Sequence, residues 1–181
     1  MPAPTPSPLV RLWTPEGFRG DDWRHAETAE ALAGDGRFIL PLQAYLDLDP
    51  DVRRSAGGRL GVQLAPGDPI DAIAPFLGEL PLVALAFPSF SDGRSYSKAE
   101  LLRSRHGFNG IVRATGQVLI DQLPHMLRLG FTEFEVSHPV WVPVNWKPWR
   151  SRWASSRRGS TIADRVSPLT LMRSPLGVTV R

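Results

Sequence analysis

Two short stretches bring together residue types suited to binding a small anion. The first runs from Ser89 to Ser97 and holds hydroxyls on Ser89, Ser91, Tyr96 and Ser97, a carboxylate on Asp92 and a guanidinium on Arg94, with Gly93 between the last two. The second runs from Arg113 to Gln122 and offers Arg113, Thr115, Gly116, Asp121 and Gln122. A guanidinium grips carboxylate, phosphate or sulfur oxyanions with parallel N–H donors, and helix N-termini add backbone donors of the same sense. Two arginines at neighbouring strand-to-helix junctions would therefore make an oxyanion site, with Asp92 or Tyr96 as the groups able to move a proton in it.

Each of these residues also has a structural use. Ser-Asp-Gly is ordinary turn chemistry, in which the aspartate bonds its own backbone and the glycine accepts a positive φ. Arg113 would serve equally as a bridge to Asp92 or Asp121, because interior arginines need partners. Tyr96 is either a packed ring with a satisfied hydroxyl or a proton donor. Asp121 and Gln122, early in their helix, either favour its dipole and cap or turn inward to orient a substrate or Arg113.

The elements that must position these groups are legible around Leu82–Phe87, an unbroken apolar run that reads as a strand buried on both faces. Pro88 stops it, and a helix is expected from Lys98 to His106. A second strand, Gly110 to Thr115, leads into an amphipathic helix expected over Gln117–Leu129, and a third strand follows at Phe131–Val136. Earlier, a helix is expected from Asp21, short strands at Leu9–Trp13, Arg37–Pro41 and Arg59–Leu64, and helices at Leu42–Leu48 and Ile70–Leu77. Strands separated by helices make consecutive β-α-β units. The expected fold is thus a single α/β domain over 9–138 with a mostly parallel sheet, either open or a barrel fragment, where ligands bind at strand C-termini. A Pro-rich lead-in (1–8) precedes it and an irregular basic tail (139–181) follows.

Composition removes several classes. The 181 residues contain no cysteine, which excludes disulfides, thiolate metal sites and a cysteine nucleophile. The four histidines, His25, His106, His125 and His138, have no metal-ligand spacing, and no G-x-G-x-x-G or P-loop occurs, so neither metal nor cofactor is expected. No apolar run approaches a membrane span and the N-terminus lacks the pattern of a signal peptide, so a cytoplasmic protein without membrane contact is expected. The net charge of +3 is uneven: residues 1–136 carry 13 Lys+Arg against 17 Asp+Glu, and residues 137–181 carry 8 against 1. That basic tail holds four of the six tryptophans but no recognisable nucleic-acid motif, and nucleic acid is not expected as a partner.

Several separated groups of residues carry a resemblance. Phe87-Pro88, Ser91-Asp92-Gly93-Arg94, Tyr96-Ser97, Leu101-Leu102-Arg103, Arg113-Ala114-Thr115-Gly116 and Asp121-Gln122 resemble the pattern of the bacterial DUF934 family, over about residues 37–137. That family is described as an oxidoreductase or accessory protein in sulfite reduction, because its members tend to sit beside assimilatory sulfite reductase genes. The resemblance implies an accessory protein of sulfur assimilation that binds an oxyanion or docks to sulfite reductase. The alternative is a stand-alone enzyme acting on a small anionic substrate. After His138-Pro139 the chain departs from the family pattern into Arg, Ser and Trp, a sequence that a shifted reading frame would produce.

Overall fold

The structure, a computed structural model, describes residues 11–136, so the lead-in at 1–8 and the tail at 139–181 lie outside the described residues. Along the chain the elements are β1 (Arg11–Thr14), β2 (Gly17–Arg19), β3 (Trp23–His25), β4 (Arg37–Pro41), α1 (Leu42–Leu46), α2 (Pro50–Ala56), β5 (Leu60–Leu64), β6 (Leu82–Phe87), α3 (Arg94–Ser104), β7 (Ile111–Gly116), α4 (Leu123–Leu129) and β8 (Glu133–Val136). One eight-stranded sheet runs in the order β2-β1-β8-β7-β6-β5-β4-β3. The apolar run of β6 lies at its centre, paired parallel with β5 and β7.

The fold is α/β, but the sheet is mixed, which corrects the expectation of a mostly parallel one. From β3 to β8 neighbouring strands are parallel. Beyond β8 the pairing turns over, since β1 lies antiparallel to β8 and to β2. A two-residue turn at Pro15-Glu16 joins β1 to β2, and so short a link can connect only antiparallel strands.

Chain length forces the sheet to curl. Laid flat, its edge strands β2 and β3 would stand about 34 Å apart at the usual strand spacing. Yet Arg19 ends β2 and Trp23 opens β3, and so few residues span at most about 14 Å. The two edges are thus drawn together across an open seam, giving a half-barrel with a concave trough.

Alternation along the strands then decides what fills each side. Leu82 and Ala84 of β6 point into the trough, where they cluster with Trp23 and Ile39, and Ile111 packs on them. Gly61 of β5 lies between, and the Leu82 side chain occupies the room a larger residue would need. Val83, Leu85 and Phe87 point to the opposite, convex face, where Phe87 meets Tyr96 of α3.

Three expected helices are replaced or broken in the structure. The segment after Asp21 forms strand β3 and a short 3-10 turn at Ala29–Ala33, because Trp23 gains more by entering the trough than a solvent-facing helix would give it. Pro75 divides Ile70–Leu77 into two 3-10 turns. Pro124, which lacks an N–H, fits only the first turn of a helix, so α4 starts at Leu123 and Ile120–Gln122 is a separate 3-10 turn.

Candidate functional site

The junction between β6 and α3 is built from local hydrogen bonds. The Asp92 amide donates to the Ser89 carbonyl at 3.1 Å, and the Ser89 and Ser91 hydroxyls lie 2.9 Å apart. The Asp92 carboxylate accepts from the Arg94 amide (3.2 Å), Nε (3.0 Å) and Nη2 (2.7 Å). Those bonds from the Arg94 side chain, then from its backbone, hold the Asp92 carboxyl below its usual pKa. With its first turn fixed in this way α3 starts at Arg94, four residues earlier than the expected Lys98, so Tyr96 and the exposed Ser97 sit on the helix. Ser95, buried in that turn, donates to the Ala86 carbonyl at 2.7 Å and pins helix to strand.

Tyr96 is a packed ring. It lies 5.1 Å from Phe87 and 5.2 Å from His125, centroid to centroid. Burial, aided by the nearby Asp121 charge, raises its pKa and keeps the phenol protonated. Lys98, also buried, donates to the Ala65 carbonyl, and desolvation lowers its pKa. Neither Ser95 nor Lys98 stood out in the sequence, since one serine and one lysine at a helix start carry no motif.

The second junction folds against the first. Gly116 ends β7 with φ +90°, where a side chain would collide with the Phe87 carbonyl, and the Gln117 amide donates to that carbonyl at 2.7 Å. Gln122 then joins both loops: its Oε1 accepts from the Leu119 amide (3.0 Å) and its Nε2 donates to the Phe90 carbonyl (2.9 Å). Around this link the rim exposes three large apolar side chains, Phe90 (53%), Leu119 (43%) and Ile120 (45%), with exposed Asp121 beside them.

Arg113 does not join this rim. It is paired with Ala84, so its side chain enters the trough, whereas α3 packs on the Phe87 side of the sheet. The structure thus places Arg94 and Arg113 on opposite faces, and the two-guanidinium clamp does not form. Buried Thr115, two residues on, shares the trough face with Arg113.

Inside the trough the Arg113 guanidinium, at 0% exposure, is fully paired. Nε and Nη2 donate to Glu133 Oε2 (2.9 and 2.7 Å), Nη1 and Nη2 donate to the two Asp21 oxygens (2.9 and 3.0 Å), and Nη1 also donates to Glu135 (3.2 Å). These bonds use all five of its N–H donors. Burial pulls the Arg113 pKa down, but the bonds Arg113 donates to Asp21 and the Glu133 charge outweigh it and the net shift is upward. Glu135 also meets His25 Nε2 at 2.8 Å.

The expected bridge partners, Asp92 and Asp121, are replaced here by Asp21, Glu133 and Glu135. Glu133-x-Glu135 on one strand was a legible sign of a polar inner face, but Asp21, 92 residues from Arg113, was not. Among the described residues no group of three or more His, Cys, Asp or Glu is arranged to hold a metal ion, and no helix is long and apolar enough to cross a membrane.

A family model described as a bacterial protein of unknown function (DUF934) matches residues 61–152. The match takes in both rim junctions, Arg113, Glu133 and Glu135, while Asp21 and His25 precede it. No curated protein matches the chain.

Proposed function

The chain belongs to the DUF934 family of bacterial proteins of unknown function, and from that premise we propose that it is an accessory protein of assimilatory sulfite reduction, with the β6–α3 and β7–α4 rim as its working surface. The sulfur chemistry in this reading comes from the family resemblance. The geometry contributes the surface, and one observation carries it: Gln122 locks two loops into a rim that holds Phe90, Leu119 and Ile120 in water. Exposed apolar side chains grouped in this way, rimmed by polar ones, suit contact with another protein. On this reading Phe90, Leu119 and Ile120 meet sulfite reductase in the cytoplasm. Ser89, Ser91 and the exposed edge of the Arg94 guanidinium that faces away from Asp92 border the contact and would hold a small oxyanion there.

The alternative, a stand-alone enzyme, gains less from the same residues. Asp92 is engaged by Arg94 with its pKa lowered, and Tyr96 is raised and packed, so neither is poised to exchange a proton near neutrality.

The test is recovery of sulfite reductase on the immobilised full chain from a native lysate. Recovery is expected with the native chain and strongly reduced with Phe90→Ser combined with Ile120→Ser. Unchanged growth on sulfate as sole sulfur source after deletion of the gene contradicts the reading.

A further inference from the structure

Residues 20–22 form a strap across the seam, from the end of β2 to the start of β3, and Asp21 is the side chain it sends into the trough. The Asp21 carboxylate meets the end of the Arg113 guanidinium with two near-equal bonds, 2.9 and 3.0 Å, the fork geometry by which arginine holds a free carboxylate or oxyanion. Glu133 and Glu135 belong to a strand beside Arg113, whereas Asp21 reaches it from a three-residue connection. Removing Asp21 alone would leave two parallel donors of a wholly buried guanidinium without an acceptor, which a protein interior tolerates poorly.

Beside the strap the surface is hollowed. A recess of about 500 Å³ is lined by Arg11, Leu12, Phe18, Arg19, Gly20 and Asp21, so Asp21 belongs to both the recess and the fork. Its wall carries two guanidiniums, Arg11 over the Phe18 ring and Arg19 paired with exposed Glu16, and their charge favours anions. Exchanging the Asp21 carboxylate for one monoanion leaves the charge around Arg113 unchanged, whereas a dianion would add to it.

We propose that Asp21 occupies an anion-binding fork on Arg113, and that a small monoanion of bisulfite or carboxylate type displaces it as the strap lifts. This rests on the oxyanion half of the reading above and moves that ligand from the rim to the trough. Arg113 then binds the anion only in the open state, and the strap is a built-in competitor.

The experiment follows the Arg113 Nε–H signal and backbone hydrogen exchange in the full chain, with sulfite near pH 6 and acetate as probes. In Asp21→Ala, sulfite is expected to bind at least tenfold more tightly than in the native chain and to shift the Arg113 signal. Asp21→Asn, which keeps the shape of the strap, is expected to fall between. In the native chain, millimolar sulfite is expected to speed exchange at residues 20–25 severalfold. The proposal is overturned if Asp21→Ala, with β6 and β7 amides still protected, shows no sulfite-dependent shift. It is equally overturned if sulfite binds the native chain with no change at residues 20–25. Native binding that is abolished by Arg94→Ala and leaves the strap unchanged sinks this inference and retains the rim as the oxyanion site.

Discussion

The rim and the trough satisfy their polar groups in opposite ways. At the rim, Asp92 finds Arg94 two residues away and Gln122 finds Leu119 three residues away, with one bond from Gln122 across to the Phe90 backbone, and large apolar side chains remain in water. In the trough, Arg113 finds Glu133 at a separation of 20 and Asp21 at 92, with no exposure at all. A locally satisfied surface can meet a partner without disturbing the fold. A network gathered from three separate parts of the chain ties folding to every member, and a ligand can enter it only by replacing one of them.

The largest effect that would test this contrast is removal of Arg113. Arg113→Met leaves Asp21, Glu133 and Glu135 facing one another half-buried, and the expected loss is about 3–5 kcal/mol, read from urea unfolding. Arg94→Ala, at the exposed rim pair, is expected to leave the same midpoint unchanged. Equal losses in the two variants would erase the distinction.

Gly116→Ala probes where the junctions meet. Its positive φ and the Phe87 carbonyl in the way predict a loss of about 1–3 kcal/mol, together with faster exchange of the Gln117 amide. Gln122→Met removes the bond to Phe90 and is expected to cost about 1 kcal/mol. Its effect should be confined to amides of the two loops, at 88–93 and 117–122, with the trough network unaltered.

The smallest expected effect is one of pH. Asp92 is held below the usual value of 3.8, so the stabilisation from its bonds to Arg94 is complete above 3.8 and fades as the pH falls below it. Asp92→Asn should therefore cost a little stability at neutral pH, by an amount that stays constant down to mildly acid solution and closes as the pH falls below 3.8. A difference growing between pH 5 and 8 would contradict the assignment.

The same contrast explains what the sequence disclosed. Leu82–Phe87 announced a central strand because burial on both faces needs an unbroken apolar run, and Pro88 and Gly116 marked where chain direction changes. The turn chemistry of Ser91-Asp92-Gly93 was legible because its partners are adjacent. The face on which Arg113 emerges was not, since that depends on the register of β7 against β6. Nor was the helix expected after Asp21 avoidable from propensity: Ala and Glu favour helix locally, and only the trough, assembled from distant strands, draws Trp23 and Asp21 into other roles. The antiparallel hairpin escaped for a similar reason, as neither β1 nor β2 exceeds four residues.

Guanidinium hydrogen exchange in the native full chain tests the division between rim and trough most directly. The Arg113 Nε–H is expected to be retained far longer than that of Arg94, and its protection should drop in Glu133→Gln and in Asp21→Ala but not in Asp92→Asn. Equal exchange at Arg94 and Arg113, or loss of Arg113 protection on changing Asp92, would contradict it.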